Sequence, residues 1–296
     1  MRAESLPGAR GRAATEASTR RTGLRVQPRR VLLYAVLLLG AVFCAFPFVW
    51  MVLTALKTRE EANAVPLRWL PETPQWSNFS EAWGAAPFER YFINTFFIAG
   101  CVVIGVVVTS LLAAYAFARI DFPGRGVAFA LLLATLMIPF EATLVPNLII
   151  VRNLGWYNSY AALIIPWTAS VFSIFLMRQF IMGIPEELFE AATLDGCGHL
   201  GMLRNVVLPL ARGPIAAIAL FSFLASWNSL LWPLIVTGSE SIRPIQLGLS
   251  IFVNQDANEP QLQMAASAFT IAPLLLLYFI AQRQFLEGIA SSGLKG

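Results

Sequence analysis

The stretch IPEELFEAATLDGCGHLGMLRNVVLPL, residues Ile184–Leu210, decides how the chain is organised. It is polar and lies between two apolar runs, Ala161–Ile181 and Leu210–Val236, each long enough to cross a bilayer. A plain connector needs no internal design, yet this stretch carries the signals of a helix–turn–helix. Pro185 suits a first helical position, where its missing N–H costs nothing. Glu186 and Glu187 follow it, at the positive end of the helix dipole. Gly196 is placed to end the helix in a left-handed cap. A second short helix is predicted from about His199 to the Leu208-Pro209 break. Ala191 and Ala192 are small, and on a short exposed helix they let a partner approach closely. The stretch reads as a peg that fits a socket on another protein.

The rest of the chain is greasy. Of its 296 residues 57% are hydrophobic and only 13% charged, against about 25% charged in a soluble domain. With a mean hydropathy of +0.66, the class is a polytopic membrane protein. The net charge of +4 does not point to nucleic acid, because the basic residues crowd the N-terminal tail and the short loops, which is a topology signal. Cys44, Cys101 and Cys197 are far apart and indicate neither a disulfide framework nor a metal site. His199 is the only histidine, and a lone histidine cannot build a metal site.

Residues 1–30 show no hydrophobic period and read as a disordered basic tail. Its arginines, Arg20, Arg21, Arg25, Arg29 and Arg30, hold this end in the cytoplasm. Residues 31–296 read as one domain of six spans: Val31–Leu56, Phe92–Ala118, Val127–Ile149, Tyr160–Phe180, Leu210–Val236 and Met264–Gln282. The first is too long for a signal-peptide core and ends without a small-residue cleavage site. Lys57–Tyr91 and Gly238–Gln263 read as external loops, the second with a short re-entrant helix at Ile245–Phe252. Parity tests this scheme. With six spans the N-terminus, the basic Arg119–Arg125 turn, the 184–210 segment and Arg283 all fall on the cytoplasmic side, as the charge rule requires.

Glu190-Ala191-Ala192, Gly196, Val206 and Leu208-Pro209 together reproduce the EAA signature. On these residues the chain resembles the permease subunits of binding-protein-dependent ABC importers. Asn78-Phe79 and Asn94-Thr95 resemble the family's pattern ahead of the second span, and Asp195-Gly196, Trp227-Asn228 and Trp232-Pro233 resemble its carbohydrate branch, of maltose and glycerol-phosphate type. The departures keep size or apolar character: Cys197 where Ala is usual, Gly198 where Ser is common, Leu203 where an aromatic is frequent, and Val206 for Ile. The resemblance covers Leu33–Gly296. It implies an all-α membrane protein with the type I importer permease fold: six transmembrane helices and a cytoplasmic coupling helix. It implies that Glu190, Ala191, Ala192, Asp195 and Gly196 couple the chain to an ATPase. It also implies the partners: a second, different permease subunit, a dimer of ATP-binding subunits and an extracytoplasmic sugar-binding protein, in the cell membrane.

The chain's own chemistry agrees with a subunit powered from outside. A phosphate-cradling G-x-x-x-x-G-K-[ST] loop needs a lysine after glycine. The only lysines, Lys57 and Lys295, each follow a leucine. ATP and Mg are therefore expected on a partner, and no cofactor on this chain. No nucleophile–base pair appears, so an enzyme is not expected. Ion-coupled carriers place charges at mid-membrane, and here the runs are almost free of charge: Arg178 and Arg212 lie near the ends of theirs, and Glu141 is the exception. At about 1.5 Å per residue it falls in the outer half of span three. It either lines the path and binds substrate hydroxyls, or sits at the outer interface or against a neighbouring helix. Trp227 and Asn228 pair an aromatic face with an amide, as sugar recognition requires. Their other reading is an interfacial aromatic belt. The rival functions are a secondary carrier or channel, and a membrane docking or signalling subunit.

Overall fold

The computed structural model describes the backbone of residues 28–254 and 259–293 and the side chains of 29–252 and 259–279. Residues 1–27 of the tail expected over 1–30, and the side chains from residue 280 on, lie outside the described residues. The described residues form helices and no strand, and the chain divides into two units, Met1–Pro47 and Phe48–Gly296. In the first unit lies the start of α1 (Pro28–Ala55). Pro28 opens it, as suits a residue without an N–H. Arg29 and Arg30, expected in the tail, are therefore helical. From Val31 to Phe46 this helix is apolar on every side, the pattern of a helix set in lipid.

The second unit holds the end of α1, then α2 (Arg59–Ala62), α3 (Ser77–Gly84), α4 (Phe88–Arg119), α5 (Arg125–Ala134), α6 (Phe140–Asn153), α7 (Tyr160–Ile164) and α8 (Val171–Met182). It continues with α9 (Glu186–Leu194), α10 (His199–Met202), α11 (Leu208–Leu210), α12 (Arg212–Trp227), α13 (Leu231–Val236), α14 (Ile245–Leu249), α15 (Ile251–Asn254) and α16 (Pro260–Gly293). Four helical stretches are long and apolar enough to span: Arg29–Ala55, Phe88–Arg119, Tyr160–Met182 and Pro260–Phe279. Two bent helix pairs raise the number to six if each pair makes one crossing.

Those pairs correct the sequence reading of spans three and five. The run Val127–Ile149 is not one rod. Ile138 precedes Pro139 and is extended, at φ −85° and ψ 115°, because a residue before proline is pushed out of the α region. The helices on either side meet at 102°. Counting helical rise along span three therefore does not locate Glu141. The run Leu210–Val236 is broken twice. A bend of 80° separates His199–Leu210 from Arg212–Trp227. Helix α12 then stops at Trp227, after 16 residues, about 24 Å of rise. Pro233 has no N–H and its ring would clash with the carbonyl of Ser229, so the chain leaves the helix over Asn228–Leu230 and restarts as α13. The helix expected at Ile245–Phe252 is present as α14 and α15.

Helix α4 is the axis of this unit and packs along α8 and α12. Its faces join two cores. One gathers Val102, Val106 and Tyr115 with Met177, Phe189 and Val207. The other gathers Phe88 and Tyr91 with Trp227, Ile245 and Ala265. Close approach depends on small residues: a Cβ on Gly105 would lie 2.6 Å from Cγ2 of Thr168. At the Phe88 end, side chains bind loops from elsewhere. Asn94 Nδ2 donates to the carbonyls of Ser241 (3.0 Å) and Arg243 (2.9 Å), and its Oδ1 accepts from Tyr160 (2.7 Å). Thr95 Oγ1 accepts from the Ile245 N–H at 2.8 Å.

Asn78 plays the same part for the end of α1. Its Nδ2 donates to the carbonyls of Ala55 and Lys57, both at 2.8 Å, and the residue is buried. Both Asn78→Ala and the isosteric Asn78→Asp remove the donor. Each should lower stability by about 1–3 kcal/mol, seen as a lower melting temperature of the detergent-purified chain. Melting at the wild-type temperature in Asn78→Asp would show that these carbonyls do not need the amide.

Candidate functional site

Two places combine unusual chemistry with a defined position. The first is the 184–210 segment. Pro185 is the N-cap of α9, one residue before the position the sequence suggested, with φ −53°. Gly196 has φ +78°. Its N–H donates to Thr193 O (3.0 Å) and the Cys197 N–H to Ala192 O (2.9 Å), which is the two-bond Schellman termination. Nothing lies within 4 Å of a Cβ built on Gly196, so glycine is required there by backbone conformation and not by space.

Helix α9 has an inner and an outer face. Phe189 and Ala192, three residues apart, are buried. Of the two alanines expected on a short exposed helix, Ala191 is exposed and Ala192 is turned inward. Glu190, Ala191, Asp195 and Gly196 are exposed, together with Leu194 and Leu200 at 89% and 77%. The inner face is clasped by the end of α4. Arg119 Nη1 and Nη2 donate to the two carboxylate oxygens of Glu186, both at 2.6 Å. The same guanidinium lies 3.8 Å from the ring centroid of Phe189. A planar fork that pairs bidentately and stacks on an aromatic face is a task for arginine and not lysine. The hydrogen bonds from Arg119 hold the Glu186 carboxyl below the usual carboxylate range. One turn earlier, Tyr115 Oη lies 3.1 Å from His199 Nδ1 and 3.4 Å from Met202 Sδ, tying the second short helix to α4. Arg119 and Tyr115 were not singled out from the sequence, because their partners lie 67 and 84 residues away.

The second place is a cavity of about 650 Å³ between α4, α8 and α12. Trp167, Trp232 and Phe140 form aromatic walls, and Ser222, Ser226, Asn228 and Ser229 bring polar atoms. None of its lining residues is charged. Trp232 is fixed by a bond from its Nε1 to Ala162 O at 2.8 Å. Asn228 lines the cavity as the C-cap of α12, its Nδ2 donating to Leu224 O at 2.8 Å. Trp227 does not line it. Its ring is wholly buried, with ring centroids of Phe96 and Phe223 at 5.0 and 5.4 Å. The stacking face expected of Trp227 is therefore occupied by the protein's own core. Glu141 is exposed in the first turn of α6, beside the lining residue Phe140 but not itself lining. The serines were the signal the sequence offered: Ser222, Ser226 and Ser229 recur at helical spacing in an apolar run.

Described residues that form helices and no strand, with several segments long and apolar enough to cross a bilayer and a capped polar helix tied to the end of α4, define a membrane-embedded protein. The profile of the family described as binding-protein-dependent transport system inner membrane component matches residues 105–290. The chain is 32% identical over 267 residues to the sn-glycerol-3-phosphate transport system permease protein of Yersinia enterocolitica, covering 88% of this chain and 95% of that one. It is 33% identical over 259 residues to the arabinooligosaccharides transport system permease protein of Halalkalibacterium halodurans, covering 86% and 93%. Its fold matches a chain of a bacterial ABC transporter that imports the acidic polysaccharide alginate, with a TM-score of 0.77, 23% identity, and 88% and 97% of the two chains covered. The chain belongs to the binding-protein-dependent transport system inner membrane components, and it has the type I importer permease fold.

The clasp makes a prediction. Arg119→Leu and Glu186→Arg should each speed hydrogen exchange across 186–194, and the swap Arg119→Glu with Glu186→Arg should restore protection. Because the carboxyl is held low, its contribution is present above the unfolded value, about 4.3, and is lost only as pH falls through the lower folded one. Protection at pH 5 should equal that at pH 7. Unchanged exchange in Arg119→Leu would leave Phe189 as the sole anchor.

Proposed function

We propose that the chain is the permease subunit of an ATP-driven sugar importer, forming half of the translocation path. In this reading the two bent pairs each make one crossing, giving six spans with both termini in the cytoplasm. A second, different permease subunit completes the path, and an extracytoplasmic binding protein delivers the sugar. Two ATP-binding subunits carry ATP and Mg and dock on the exposed face of α9 through Glu190, Ala191, Asp195 and Gly196, with Ala192 setting that face from behind. A relative named for arabinooligosaccharide transport, beside one named for sn-glycerol-3-phosphate transport, supports the substrate class. The lack of any phosphate-cradling loop around Lys57 or Lys295 supports an external energy source.

The observation that carries this reading is the two-sided α9. One face is bound rigidly to α4, which walls the cavity, and the other presents small and charged residues to a partner. Closure of docked ATPases would thereby reach the path through α4. Gly196→Arg tests it. A side chain at φ +78° strains the cap by about 1–2 kcal/mol, and a bulky charge enters the docking face. The variant should insert and assemble while ATP hydrolysis no longer drives uptake. Wild-type uptake by reconstituted importer carrying Gly196→Arg would overturn the coupling role.

A further inference from the structure

Hydroxyl groups in membrane helices usually satisfy themselves by bonding back to the carbonyl one turn earlier. This chain follows that habit widely. Thr95 donates to Tyr91 O, Thr193 to Phe189 O, Ser267 to Gln263 O and Thr270 to Ala266 O. Ser222, Ser226 and Ser229 break it. All three line the cavity, and none makes a side-chain hydrogen bond to the protein. They fall four and three residues apart, on one stripe that begins on α12 and ends just past it. Asn228 adds an amide oxygen that no protein donor takes. Trp167 and Phe140 line the same cavity, with the buried Trp232 behind them, its Nε1 bonded to Ala162 O.

An uncommitted row of hydroxyls facing rigid aromatic walls is the arrangement that polyhydroxylated rings require: C–H faces against the aromatics, and hydroxyls against small reversible donors and acceptors. Its volume is that of a small-molecule site. The electrostatics decide which sugars. No arginine, lysine or histidine lines the cavity, and an anion moved into such an apolar space would lose its water and meet no counter-charge. We propose that this subunit itself carries a binding site for neutral saccharides, built from the Ser222–Ser226–Ser229 stripe, Asn228 and the rings of Trp167 and Phe140, and that the site rejects phosphorylated sugars and uronates. The inference rests on the chain being a sugar-importer permease and narrows what it passes.

The test uses the assembled importer in nanodiscs, without binding protein, so that only the membrane site selects. Ser226→Cys is alkylated with a small thiol reagent, with Ser226 wild type as the background for the native cysteines. Arabinobiose at about ten times its Kd should slow alkylation about tenfold, by mass action. sn-Glycerol 3-phosphate and an alginate disaccharide at the same concentration should not. In a complex carrying Ser222→Arg, protection by arabinobiose should fall and protection by sn-glycerol 3-phosphate should appear. Protection by the anions in the Ser226→Cys complex would overturn the selectivity. A thiol that reacts in the lone chain but not in the complex would show that a helix of the second permease fills the cavity, and would overturn the site. A Ser226→Cys complex that takes up sugar yet shows no protection sinks this inference alone. Loss of uptake on omitting the ATPase subunits is the separate test of the importer reading.

Discussion

In hydrocarbon a backbone must satisfy its own hydrogen bonds, and a helix is the way a single segment does so. Helix α4 meets that demand without interruption from Phe88 to Arg119, 32 residues in all. Its neighbours do not. Prolines break or tighten the segments around it at Pro139, Pro166 and Pro233. The unbroken helix therefore serves as the reference against which the broken ones are placed. Side chains fasten both its ends. Asn94 and Thr95 hold the 241–245 loop at one end, and Tyr115 and Arg119 hold α10 and α9 at the other. Between these ends, Ile98, Val102 and Val106 form one wall of the cavity. One continuous helix thus touches both α9 and the cavity.

What the sequence discloses depends on whether the physics is local. The α9 cap is local: Gly196 is demanded by a positive φ within a few residues of the helix it ends, and spacing alone exposes it. Proline breaks are local too, although the angle across Pro139 depends on what the two halves pack against. The clasp is not local, since Arg119 reads from sequence only as a basic residue in a turn. Trp227 shows a different limit. In a soluble helix the apolar stripe marks the inside, but in a membrane helix lipid and core are equally apolar, so the pattern does not say which way a ring points. That is why Trp227 could be expected to offer a face for stacking and is instead wholly buried among Phe96 and Phe223. Ala192 fell inside for a reason that helical spacing does supply, its position three residues from Phe189.

The distribution of charge separates two tasks within one chain. At the Arg119 end the contacts are directional and strong: a bidentate ion pair, a guanidinium on an aromatic face and a tyrosine–histidine bond. Such contacts fix one geometry and carry force. The cavity holds only hydroxyls, an amide and aromatic faces. A site on a transport path works best when binding is favourable enough to fill it and weak enough to empty it. Neutral donors without the reinforcement of a charge meet that condition, whereas an arginine pair in the same low-dielectric space would retain an anion. The directional charged contacts are thus kept at the α9 end of the unit and away from the cavity. Helix α4, charged at its ends and apolar through its middle, is the element that connects the two.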